Sequence, residues 1–94
     1  MKIEIMHREL KFPLGRVVAT PGASELDTTT LLHCLKRHAT GDWGKVCDED
    51  KALNDAALKD GSRVLSAYDV DGTTLWIITE ADRSVTTFLL PEEY

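Results

Sequence analysis

The chain has 94 residues, 43% of them hydrophobic and 29% charged, with a formal net charge of −5. That length supports one domain, residues 1–94, with its own core, and the composition excludes a disordered chain. The acidic balance, gathered at Asp48-Glu49-Asp50 and Glu92-Glu93, excludes a general attraction to phosphate backbones or anionic membranes, since only Lys36-Arg37-His38 concentrates positive charge.

At the start of the chain, Met1-Lys2-Ile3-Glu4-Ile5 alternates charge with hydrophobe and lacks the apolar core of a signal peptide. No apolar run reaches the ~20 residues of a membrane-spanning helix. A cytoplasmic protein without a membrane partner is expected, and Cys34 and Cys47 are then free, mostly buried thiols. Lys2 to Met6 reads as a strand. Arg16 to Thr20 reads as a second, bracketed by Pro13, Gly15, Pro21 and Gly22.

Asp27 or Thr28 caps a helix running to about Ala39, with Leu31, Leu32 and Leu35 as its apolar stripe and Lys36, Arg37 and His38 at the end the helix dipole favours for cations. After Asp42-Trp43-Gly44, a second helix runs from Asp48 to Lys59. Its predicted buried face is Leu53, Ala56 and Ala57, with Asp55 and Lys59 paired one turn apart and Gly61 as C-cap. The period then becomes two: Arg63 to Asp69, an Asp71-Gly72 hairpin turn, Thr74 to Thr79, a turn at Ala81-Asp82-Arg83-Ser84, and Val85 to Leu90. Trp76-Ile77-Ile78 in succession implies a central strand buried on both faces. The order is β(β)αα followed by a three-stranded meander, an α+β fold in which two central helices pack on an antiparallel sheet.

Cys34 and His38 lie one helical turn apart with Cys47 downstream, but a fourth ligand and a Cys-x-x-Cys pair are missing, so no metal site is assigned. His33, Cys34 and His38 lack the orienting third group of a cysteine nucleophile. Phosphate-binding, dinucleotide-binding and nucleophile-elbow glycine motifs are absent, and no cofactor is expected. Two segments remain as candidate sites. Thr79 to Thr87 is a dense polar stretch on a buried strand pair, where rigid strands hold a loop; the alternative is ordinary turn chemistry by Asp82 and Ser84. His38 to Gly44 is either a recognition loop or a helix stop in which Trp43 folds back as a lid on the core. The candidate binding residues are His38, Asp42, Trp43, Arg83 and Ser84.

With Phe12-Pro13-Leu14-Gly15 to Gly22, the segments His38 to Gly44 and Trp76 to Tyr94 resemble a family of roughly hundred-residue bacterial proteins carried by plasmids and other mobile elements, called plasmid-related or type I restriction subunit proteins. The resemblance covers nearly the whole chain from Phe12. It implies the context of a mobile element and names no mechanism. The layout of helices followed by a meander also looks like the barnase and RelE-type ribonuclease architecture, which implies His38, Arg83, Ser84, Thr86 and Thr87 as candidate catalytic groups.

The reading that follows is a non-enzymatic accessory protein that binds a protein of the host or of the element. The alternative is an RNA-cleaving enzyme or toxin. An enzyme needs His38 and Arg83 together in a concave pocket, and a binding module does not.

Overall fold

The computed structural model describes residues 10–94, and the expected strand Lys2 to Met6 lies outside them. Their order is β1 (Arg16–Ala19), α1 (Pro21–Ser24), α2 (Thr28–Ala39), α3 (Asp48–Asp60), β2 (Val64–Val70), β3 (Thr73–Thr79), β4 (Val85–Leu89) and a 3₁₀ turn at Pro91–Glu93. The class is α+β, with helices packed on a sheet, as the change of period predicts.

The sheet order is β1-β4-β3-β2. The meander β2-β3-β4 is antiparallel as expected, and β1 adds to it in parallel beside β4, so the whole sheet is mixed. The helical layer carries the chain from the β1 edge to the β2 edge; two reversals in the meander then bring β4 back in the direction of β1. The β2-β3 turn has Asp71 at φ 52 and Gly72 at φ 83, the paired positive values that match strand twist, and Asp69 Oδ1 accepts the Gly72 N–H at 3.0 Å.

Asp27 caps α2 by accepting the Thr30 N–H at 3.0 Å, and the helix buries Leu31, Cys34, Leu35, His38 and Ala39 along one face. α1 is an element where Pro21 and Gly22 read as a break. Thr20 caps it and Pro21 takes the first position, where a missing N–H costs nothing. In α3 the expected face is rotated: Ala57 is buried beside Asn54, while Ala56 is exposed and Leu53 is 67% exposed. Asn54 turns inward because its amide bonds β2, Nδ2 donating to the Leu65 carbonyl at 2.8 Å and Oδ1 accepting the Leu65 N–H at 3.2 Å. Asp55, instead of pairing with Lys59, accepts the Trp43 indole N–H at 2.9 Å.

One core cluster lies between α2 and the sheet and includes Leu35, Tyr68, Leu75, Ile77 and Phe88; a second joins Phe12, Trp43, Ala57 and Val64. β3 is central, with Ile77 and Ile78 buried on opposite faces. Trp43 is 4% exposed and folds onto the core as a lid. Cys34 is buried, but Cys47, expected to be buried, is exposed, because it occupies the N-cap of α3, where the chain turns through solvent. Among the described residues no helix is long and apolar enough to cross a membrane.

Candidate functional site

The buried helix-facing positions of the meander are apolar except where Ser66, Thr79 and Thr86 interrupt them, and His38 descends on these three from the last turn of α2. All four side chains are fully buried. Thr86 Oγ1 donates to the Leu14 carbonyl at 2.6 Å, so its lone pair receives the Thr79 hydroxyl at 2.7 Å. Thr79, its proton given, accepts from His38 Nε2 at 2.9 Å, and His38 Nδ1 accepts from Ser66 Oγ at 2.5 Å. The polarity of this chain places a hydrogen on Nε2, and with the ring neutral Nδ1 is left to accept from Ser66. Among the described residues no buried side-chain nitrogen or oxygen lacks a partner.

Burial, and then the positive charge of Arg83, pull His38 down to about 3. An imidazole that is neutral, sealed and bonded at both nitrogens has no free lone pair or proton for a substrate.

His38 and Arg83 do converge, but on the buried ring of Phe12 rather than in a cleft. The His38 ring meets Phe12 edge-on with centroids 5.3 Å apart, Trp43 stacks on Phe12 at 6.1 Å, and the Arg83 guanidinium lies 5.3 Å from the Phe12 centroid. Arg83 Nη2 donates to the Ala57 carbonyl at 3.0 Å, tying the end of α3 to the β3-β4 turn. Gly15 is required beside that turn: its φ is +64, and a Cβ there would come within 2.4 Å of the Arg83 and Ser84 carbonyl oxygens.

The other candidate residues lie apart. Ser84 is exposed and its Oγ donates to Asp82 Oδ1 at 2.6 Å, a local turn bond that lowers the Asp82 carboxyl. Thr87 occupies the face of β4 opposite Thr86. Asp42 is exposed and takes Arg37 Nε at 2.8 Å; Arg37 holds its carboxyl below the usual range and in turn covers the Tyr68 ring at 4.6 Å. No three His, Cys, Asp or Glu side chains are placed to hold a metal among the described residues.

Sequence reasoning passed over Ser66, Phe12 and Trp76. Trp76 is half-buried on the sheet face away from the helices, in a hollow of about 350 Å³ lined with Lys45, Ala67, Asp69 and Thr74. Tyr94 meets it edge-on at 5.7 Å, and Arg63 Nη1 donates to the Tyr94 hydroxyl at 2.8 Å, so the indole is braced before any contact. Lys45 and Asp69 form an ion pair at 3.5 Å on the rim.

Comparison with protein families, with curated proteins and with solved structures gives no match to this chain.

Proposed function

We propose that the chain is a non-enzymatic, cytoplasmic accessory protein of a mobile genetic element that acts by binding a protein partner. The observation that favours this over RNA cleavage is His38, the histidine that the described residues bring near Arg83, whose two ring nitrogens bond Ser66 and Thr79 in the closed interior. A general acid or base must reach the atom it serves. The net charge of −5 favours a protein over a phosphate backbone as partner. The mobile-element setting draws on the resemblance carried by His38 to Gly44 and Trp76 to Tyr94.

Trp76 is the proposed anchor. A braced, half-exposed indole buries much apolar area at little entropic cost, and such rings dominate interface energies. The test pairs two measurements. Purified protein should leave single-stranded RNA intact between about pH 5 and 8, across the range in which acid/base groups of nucleases titrate. A partner retained from host lysate should be lost with Trp76→Ala, by roughly 30-fold in affinity, with the melting temperature preserved. Cleavage that disappears in His38→Gln would replace the binding reading with the enzymatic one.

A further inference from the structure

β1 is the edge strand whose outer side nothing among the described residues pairs with. Its register with β4 determines which groups are free. Arg16 N–H bonds the Ser84 carbonyl at 3.0 Å and Thr20 N–H the Phe88 carbonyl at 3.0 Å, so Arg16, Val18 and Thr20 face β4 while Val17 and Ala19 turn their N–H and C=O outward. Beside them opens a groove of about 420 Å³ between β1 and the start of α2, lined by Val17, Leu31, Leu32 and Phe88. The chain enters the described structure away from this edge: Lys11 N–H bonds the Ala39 carbonyl at 2.9 Å, and Phe12 stacks on Trp43.

The geometry points to a second copy of this chain as the occupant, paired antiparallel through β1 about a two-fold axis at Val18. That is the symmetric register in which every outward group is used. Val17 faces Ala19 of the second copy and exchanges both backbone hydrogen bonds with it, and Ala19 does the same in return. Val18 meets Val18 of the second copy on the axis. Arg16 faces Thr20 of the second copy on the same side of the sheet, and there the charges are complementary. Thr20 Oγ1 donates to Glu93 Oε1 at 2.5 Å, placing a carboxylate where the guanidinium arrives. Arg16 is exposed and makes no ion pair among the described residues.

The small Ala19 side chain falls beside Val17 on the helix side, leaving room for the two grooves to meet. The four strands of each copy join into one continuous sheet, with both helical layers on one side and both Trp76 faces on the other. A strand of four residues makes a small interface, so the dimer is reversible.

Sedimentation of the full chain across a concentration series should show a shift from one chain to two. Ala19→Pro removes the outward N–H and leaves the β4 ladder whole, and it should abolish the shift. Arg16→Glu should weaken association by at least about tenfold through like charge against Glu93. In a Cys47→Ser background, Val18→Cys should form a reducible disulfide dimer, because opposed residues of a non-hydrogen-bonded pair lie within disulfide reach, whereas Arg16→Cys should not. Trp76→Ala should leave the dimer intact, which separates this inference from the partner-binding reading. A chain that stays single at every concentration overturns it, whatever else covers the edge. So does a dimer indifferent to Ala19→Pro and Arg16→Glu, or one that crosslinks through Arg16→Cys as readily as through Val18→Cys.

Discussion

The two edges of the sheet are handled in opposite ways. The β2 edge is closed twice by the chain itself: the Asn54 amide occupies the Leu65 N–H and C=O, and the segment Trp43 to Lys45 runs alongside Ala67, whose N–H bonds the Trp43 carbonyl at 3.1 Å and whose carbonyl takes the Lys45 N–H at 2.7 Å. Gly44 permits that approach, since a Cβ there would stand 2.0 Å from the Ala67 carbonyl oxygen. The β1 edge has no such cover among the described residues. It is instead short, four residues against seven, and begins with Arg16. A long, unpaired strand edge templates aggregation, and a short charged one does not. The chain spends its side chains on the edge that needs closing and leaves the other for controlled pairing.

The largest effect should come from the strand both edges depend on. Ile77 is fully buried in central β3, and Ile77→Asp places an unpaired charge there, at a cost comparable to the whole stability of a small domain. The cooperative thermal transition should vanish from circular dichroism; a variant that melts like the parent would refute the central position of β3.

The buried hydrogen-bond chain spans the sheet from one edge toward the other, from Ser66 on β2 through His38, Thr79 and Thr86 to Leu14 ahead of β1. Its response to acid follows from His38, whose value falls from 6.5 in the unfolded chain to about 3 in the fold. Between those limits the unfolded chain binds a proton that the folded chain refuses. The stability from neutral His38 is therefore complete above pH 6.5 and is lost as pH falls toward about 3. The loss should reach about 1.4 kcal/mol per pH unit well below the upper limit, and on the order of 5 kcal/mol in all. It should begin before the loss from the carboxylates held low by hydrogen bonds, Asp42, Asp60, Asp82 and Glu93, which sets in only once pH falls into the ordinary carboxylate range. Urea unfolding at a series of pH values measures the slope, and a flat profile from pH 6.5 downward would contradict a buried neutral imidazole.

Asn54→Ala tests the sealed edge directly. It strips the partner from both Leu65 backbone groups and should cost about 2 kcal/mol, a drop of roughly 10 °C in Tm for a domain of this size. The Leu65 amide should exchange with solvent much faster than in the parent. If Leu65 protection is unchanged, α3 closes that edge by some means other than this side chain.

The elements behind this contrast are legible in the sequence, and the contacts that set the two edges apart are not. The meander was readable because Arg63 to Leu90 alternates with period two and Asp71-Gly72 suits a paired-positive-φ turn; α2 was readable from Asp27, its leucines and its basic last turn. The parallel pairing of β1 was not readable, because Arg16 meets Val85 across most of the chain and no local pattern encodes that register. Asn54 hid in a helix whose stripe, read by hydrophobicity, ran through Leu53. The polar chain could have been found by phase: Ser66 shares the parity of Val64, Tyr68 and Val70, and Thr79 that of Leu75 and Ile77, so both hydroxyls had to point into the core and needed a partner. His38 read as a surface cation at a helix end, and only the sheet beneath α2 makes it neutral. The sequence offers the Trp43 lid as one of two readings of His38 to Gly44; it hides the Trp76 face, because a run of three apolar residues conceals which of them faces outward.

The smallest effect should fall on the open edge. Ala19 is exposed and its backbone N–H points away from β4, so Ala19→Lys disturbs neither the ladder nor the core. Lysine on an edge strand is also a common guard against unwanted pairing. At protein concentrations low enough to keep the chain single, the change in unfolding free energy should stay within about 0.5 kcal/mol, several-fold less than for Asn54→Ala. At high concentration the same substitution sets a long, charged side chain against Val17 of the second copy and should suppress association. The pair of measurements divides the edge's two roles. A neutral effect on the single chain with a loss of pairing is the behaviour of a surface kept for a partner. A loss near 2 kcal/mol in the single chain would mean that the β1 edge is closed from within, like that of β2.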